Sequence, residues 1–144
     1  MSQHQVNALL VDDDQVDRFI TRRYLARDGR IGRIFEVTDG DEAYQVLEGE
    51  RFEADLGPHP PASLILLDIN MPRMSGFELL ARLTEHDPDL RLEDSVVIIA
   101  LLTSSTYQGD RDKADEIELV KAYIEKPITS DKLDQLLRQF WDAV

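Results

Sequence analysis

The chain has no cysteine among its 144 residues. That excludes a disulfide framework and any thiolate metal site. Basic residues are scarce: 16 lysines and arginines stand against 29 aspartates and glutamates, for a formal net charge of −13. Nucleic-acid backbones reward the opposite balance, so no nucleic-acid partner is expected. No apolar run approaches a membrane span, and the start MSQHQVNALLV lacks both the basic residues and the long apolar stretch of a secretory leader. No membrane partner and a cytoplasmic location follow as expectations. Repeats, low-complexity tracts and interdomain linkers are also missing. What is present, 42% hydrophobic and 31% charged residues, is the balance of one ordinary globular domain. That domain should fill residues 1–144, with a core from about 6 to 142 and no output domain.

Strand and helix patterns alternate five times along the chain. Val6–Val11 reads as a first strand, and a helix from about Gln15 to Arg27 places Val16, Phe19, Ile20, Tyr24 and Leu25 on one face. RIFEVT gives a second strand, and DGDEAYQVLEGE a second helix with Ala43, Tyr44 and Leu47 inward. EADLGPHPPA is a loop by its proline and glycine content. Leu64–Leu67 forms the third strand, followed by a helix from about Ser75 to His86 and the polar connector HDPDLRLEDS. VVIIALL is a central strand, a charged helix lies within Tyr107–Ile117, and VKAYIE is the fifth strand. In the last helix Leu133, Leu136, Leu137, Phe140 and Trp141 repeat as a core face.

Alternating strands and helices with run-like apolar strands imply an α/β fold whose parallel sheet is covered on both faces. Five strands suit a flavodoxin-like, doubly wound order 2-1-3-4-5. In that order strands 1 and 3 meet at the topological switch point, where ligands bind outside their carboxyl ends. Strand 1 ends in Asp12 and Asp13, and strand 3 ends in Asp68. Three converging carboxylates repel unless a cation joins them, and oxygen-only ligands suit Mg²⁺. The backbone carbonyl of Asn70 is placed to complete that shell. Strand 4 ends at Thr103 and strand 5 at Lys126. A hydroxyl and an ammonium beside a metal-bound acid are the groups a transferred phosphoryl would need.

The stretches LLVDDDQ, LILLDINMPRMSG, VIIALLTSS and YIEKPIT, in this order and at these separations, resemble a response-regulator receiver domain of two-component signalling. The likeness is to stand-alone receivers of the chemotaxis type and spans essentially the whole chain. It implies Asp68 as the acceptor of a phosphoryl group from a histidine kinase or histidine phosphotransfer protein. It further implies that Asp13 binds Mg²⁺ directly and Asp12 through water, while Asp14 has no family role and serves as a helix cap. Thr103 would bond the phosphoryl group and draw its loop inward, Lys126 would pair with the phosphoryl oxygens, and Pro127 matches a cis-proline. Tyr123 matches the switch aromatic, with a half-buried strand tyrosine as the alternative. The implied output is a protein target docking on helix 4, strand 5 and helix 5. On this reading the chain is not an enzyme in its own right, beyond forming and losing its own phosphoryl group.

Two departures from the simplest members stand out: the proline-rich loop before strand 3 and the connector before strand 4 are both long. They resemble insertions in receivers that serve phytochrome-type or hybrid kinases. A rival reading takes LLVDDDQV as the signature of a haloacid-dehalogenase-like phosphatase, with Asp12 as nucleophile and Asp14 as general acid. It lacks an acidic pair after Lys126 and leaves Asp68 without a role. A second rival is a non-catalytic pseudo-receiver of the same fold. Flavin binding is disfavoured, because the first strand–helix turn has no small residues to cradle a phosphate.

Overall fold

The computed structural model describes residues 6–48, 62–71, 73–86, 96–104, 108–117 and 120–143. Strands and helices alternate through them as β1 (Val6–Val11), α1 (Gln15–Arg27), β2 (Ile31–Val37), α2 (Gly40–Glu48) and β3 (Ala62–Asp68). They continue as α3 (Gly76–His86), β4 (Val96–Thr103), α4 (Gln108–Asp115), β5 (Val120–Glu125) and α5 (Ser130–Ala143). All pairings are parallel, and one sheet runs β2-β1-β3-β4-β5, the order expected from the sequence. Strands of the third and fourth apolar runs extend slightly further than the pattern suggested, so that Asp68 and Thr103 are themselves strand residues. Ala62, read as loop, begins β3. The rest of the proline-rich loop, the connector after His86, and the side chains of Leu47, Phe140 and Trp141 lie outside the described residues.

Side chains in a strand alternate between faces, and here both faces are covered. Leu9, Val11, Ile65, Leu67, Ile99 and Leu101 enter one core with Leu79 and Leu80 of α3, Ala43 of α2 and Ala114 of α4. Ala8, Leu10, Leu64, Leu66, Ala100 and Leu102 enter the other with Leu25 of α1 and Leu133, Leu136 and Leu137 of α5. Burial on both sides explains why these strands are apolar runs rather than alternating patterns.

Four helices start with a side-chain cap at the carboxyl edge of the sheet. Asp14 accepts from the Asp17 N–H (3.0 Å), Asp39 from Glu42 (2.8 Å), Ser75 from Glu78 (3.2 Å) and Thr129 from Lys132 (3.2 Å). Such caps satisfy amide donors that the helix leaves open. Their common location brings the positive ends of several helix dipoles to one edge.

The inward face of α1 differs from the one read off its apolar residues. Val16 and Phe19 are 65% and 64% exposed. The inward stripe is instead Arg18, Thr21 and Leu25, with Thr21 and Leu25 buried and Ile20 and Tyr24 half-buried. The cause is position along the helix: its first turns overhang the acidic end of the sheet. There Arg18 Nη1 donates to the Asp12 carbonyl (2.9 Å) and Arg18 Nε pairs with Glu36 (3.5 Å). An apolar side chain would find no apolar partner at that spot.

This distinction is measurable by urea denaturation. Leu25→Ala should destabilise the fold by about 2–5 kcal/mol, as buried large-to-small changes do. Phe19→Ser on the same helix should stay within about 0.5 kcal/mol of the parent, as exposed substitutions do.

Candidate functional site

The register of the sheet builds the site. Leu10 pairs with Leu66 and Val11 with Leu67, so one further step sets Asp12 abreast of Asp68. Both then follow the parity of Leu10 and Leu66 and belong to the face covered by α1. On the other side of β3, Asp68 pairs with Leu102 of β4, one residue before Thr103. The Ile69 N–H donates to the Leu102 carbonyl (3.0 Å), and the Lys126 N–H donates to the Thr103 carbonyl (2.7 Å). Backbone bonds thus tie the carboxyl ends of β3, β4 and β5 together.

Asp12, Asp68 and Thr103 are buried, whereas Asp13 is exposed at the rim. Carboxylate oxygens of Asp12, Asp13 and Asp68 lie within 4.8 Å of one another. The Lys126 ammonium enters the same pocket, 2.9 Å from Asp12 Oδ2, 3.0 Å from Asp17 Oδ2 and 3.4 Å from Asp68 Oδ1. The Lys126–Pro127 peptide bond is cis. Asn70 sits two residues beyond the acid, and its N–H donates to Asp68 Oδ1 (3.2 Å). The structure therefore gathers Asp12, Asp13, Asp68, Thr103, Lys126 and Asn70 at one edge.

Two acids deserve separate treatment. Asp14 turns away, its carboxylate taken up by the Asp17 N–H as the α1 cap. Asp17 turns in and hydrogen-bonds Lys126 Nζ. Sequence reading gave Asp17 no role. No local spacing signals it, since its partner lies 109 residues further along the chain.

The pocket is electrostatically unbalanced. Burial, and after it the Asp12 charge, push the Asp68 carboxyl up to about 7 against the pull of Lys126. For Lys126, burial acts to lower the pKa, but it is outweighed by the close pairing with Asp12 and its charge, the charge of Asp68 and the hydrogen bond to Asp17, which hold the ammonium well above its ordinary value. One cation is shared among several acids, and it does not bring the Asp68 carboxyl back to its ordinary value.

A hard divalent ion fits this donor set. Three carboxylates supply oxygen ligands. Among the described residues Asp12 Oδ2 is buried with no hydrogen bond of acceptable geometry, since its 2.9 Å approach to Lys126 is an ion pair without the right angles. A buried carboxylate oxygen left in that state has lone pairs to offer.

The loop after β3 holds the acid in place. A Cβ on Gly76 would lie 2.6 Å from the Asp68 carbonyl oxygen and 3.1 Å from Ile69 Cα. Only glycine permits that approach of α3 to the backbone carrying Asp68. Arg73, in the same loop, has a φ of 69°.

Beyond the pocket, a cavity of about 370 Å³ lies between α4, β5 and α5, lined by residues that include Arg111, Tyr123, Lys132 and Gln135. The Tyr123 ring is half-buried against the core, Arg111 lies over it at 5.6 Å, and its Oη is buried without a hydrogen-bond partner among the described residues.

The sequence profile of the response regulator receiver domain matches residues 8–138. A two-component response regulator from Cytophaga hutchinsonii has a similar crystal structure, with TM-score 0.81 and 28% identity over 97% of this chain and 99% of that one. The phosphorylated cyanobacterial phytochrome response regulator RcpA gives TM-score 0.69 and 28% identity over 94% of this chain and 91% of its own. The Mn²⁺-bound form of response regulator Rcp1 gives TM-score 0.69 and 28% identity over 94% of each chain. Among curated relatives matched at 26–29% identity, the chain spans as little as 16% of one, 61% of another and 81% of a third.

The surplus of acid makes a pH-dependent test. With no metal bound, the Asp68 carboxyl is pushed up to about 7 from the ordinary 3.8 of an aspartate. The folded chain therefore holds a proton that the unfolded chain has released. Its contribution to stability is full below about pH 4 and is lost as pH rises through about 7. With chelator present, Asp68→Asn should exceed the parent in stability by about 2–4 kcal/mol at pH 8. That advantage should vanish toward pH 4 in denaturation curves.

Proposed function

The chain belongs to the response regulator receiver family, and from that premise we propose that it accepts a phosphoryl group on Asp68 from a histidine kinase or histidine phosphotransfer protein. The observation that carries the reading is the buried Asp68 carboxylate 3.4 Å from Lys126, in one pocket with Asp12 and Asp13. An Asp68 oxygen attacks phosphorus as the phosphorus–nitrogen bond of the phosphoimidazole breaks. The leaving nitrogen keeps the bonding pair and, with a proton already on the other ring nitrogen of the donor, departs as neutral imidazole; the product is an acyl phosphate that water later hydrolyses.

Mg²⁺, held by Asp13, Asp68, Asp12 through water and the Asn70 carbonyl, would supply charge neutralisation at the phosphoryl oxygens when bound. The chain's own residues do the rest. Asp68 must be ionised to attack, which the metal-free pocket resists at neutral pH because of burial. Lys126 is aimed across the pocket to take a phosphoryl oxygen. Thr103 offers its hydroxyl from the end of β4, and Gly76 lets α3 pack against the end of β3 that carries Asp68.

The new charge biases a two-state equilibrium of the Thr103 loop and β5. Tyr123 is the switch residue on this reading, since its buried Oη has no hydrogen bond to hold it. The cavity between α4, β5 and α5 is the surface where a downstream protein target docks. The phosphatase alternative fails on Asp14, whose carboxylate caps α1 instead of standing ready as a general acid.

Incubation with acetyl phosphate and Mg²⁺ should place a hydroxylamine-sensitive label on the parent chain and none on Asp68→Asn. Label retained on that variant would put the acceptor elsewhere. Millimolar Mg²⁺ should raise Tm by mass action, and Asp13→Asn should abolish most of that rise.

A further inference from the structure

The Lys126 ammonium is surrounded by three carboxylates, but its contacts differ in kind. Asp12 is close at 2.9 Å without hydrogen-bond angles, and Asp68 lies at 3.4 Å. Among the described residues, the directed carboxylate hydrogen bond goes to Asp17, at 3.0 Å. Asp17 stands outside the cluster of possible metal ligands and is a third exposed, while Lys126 is 9% exposed. It is also fixed: it follows the Asp14 cap, whose side chain accepts the Asp17 N–H, and its neighbour Arg18 is anchored to the Asp12 carbonyl.

From this geometry we infer that Asp17 is a positioning residue that acts through Lys126, sharing the ammonium with Asp12 so that it stays between the acids, within 3.4 Å of the Asp68 oxygen where a phosphoryl group must arrive. The inference rests on the phosphoacceptor reading given above. Without Asp17 the ammonium has one strong attraction left within 3 Å, the buried and otherwise unpartnered Asp12 Oδ2. The lysine, already 2.9 Å from that oxygen, would then be drawn wholly onto it. It would then cover an oxygen needed at the acidic cluster and leave Asp68 unassisted. A long, flexible lysine side chain needs such a second anchor, because a single ion pair does not fix its direction. Placing the anchor on a helix gives the precision that a loop would not.

The test compares Asp17→Asn, which keeps an acceptor oxygen but loses the charge, with Asp17→Ala, which loses both. Both remove the same first-turn charge, so any loss of helix stability is common to them. With acetyl phosphate as donor and Mg²⁺ saturating, Asp17→Ala should lower the maximal labelling rate about tenfold, a displacement effect, while Asp17→Asn stays within about threefold of the parent. The donor concentration at half-maximal rate should hold steady in both. In metal-free, ¹⁵N-lysine-labelled protein, the Lys126 ammonium signal should lose order in Asp17→Ala and keep it in Asp17→Asn. Equal rates in the two variants, or an unchanged ammonium signal in Asp17→Ala, would overturn the inference. A parent chain that takes no label on Asp68 would sink the phosphoacceptor reading alone. The ammonium signal would still decide whether Asp17 holds Lys126.

Discussion

A single ammonium, that of Lys126, serves carboxylates from β1, α1 and β3 at distances between 2.9 and 3.4 Å. In water such a cluster would be nearly indifferent, but Asp12 and Asp68 are buried, and there charges interact strongly. The negative surplus has to go somewhere. In the metal-free fold it goes into a proton on Asp68, pushed up to about 7 chiefly by burial. A divalent cation would relieve the same surplus from the other direction. On the proposed reading, the buried acid becomes a nucleophile only once that relief arrives.

The fold can tolerate this arrangement because its stability lies elsewhere. Strands β1, β3 and β4 are buried on both faces by two separate apolar cores, and the acids occupy only their carboxyl ends. Capped helix N-termini on the same edge add positive partial charge. The conflict between local polarity and burial is confined to the edge, as is usual where a chain departs from consistent patterning for function.

The sheet was legible because run-like apolar strands report two-sided burial, and Asp12 and Asp68 stood out as charges set directly against such runs. The face of α1 was misread for a related reason. Taking apolar residues as inward fails where inward means a charged pocket, so Arg18 faces in while Val16 and Phe19 face solvent. Asp17 was invisible to sequence reading, since an acid in a first helical turn already has an ordinary explanation in the helix dipole. Its partner lies 109 residues away in the chain, a relation no local pattern encodes. The unpaired Oη of Tyr123 was equally hidden, because a strand tyrosine looks the same whether or not its hydroxyl finds a partner.

Coupling between the pocket and the α4–β5–α5 face has a narrow physical route. β5 carries Tyr123 three residues before Lys126, and Lys126 is bonded through its N–H to the Thr103 carbonyl. Within β4 and β5, Leu101 pairs with Tyr123 and Thr103 with Glu125. A displacement of the Thr103 end is thus felt by the strand that bears the tyrosine. A phosphoryl group can shift that equilibrium only by the difference in its contacts with the two states. On the proposed reading that difference comes from the Thr103 hydroxyl and the Lys126 ammonium. An ammonium held wholly on Asp12 in both states would contribute nothing to it. On that reading, sharing the lysine between Asp12 and Asp17 is a condition for signalling as much as for phosphoryl transfer, since only a cation with a fixed resting place can register the arrival of a new anion as a change.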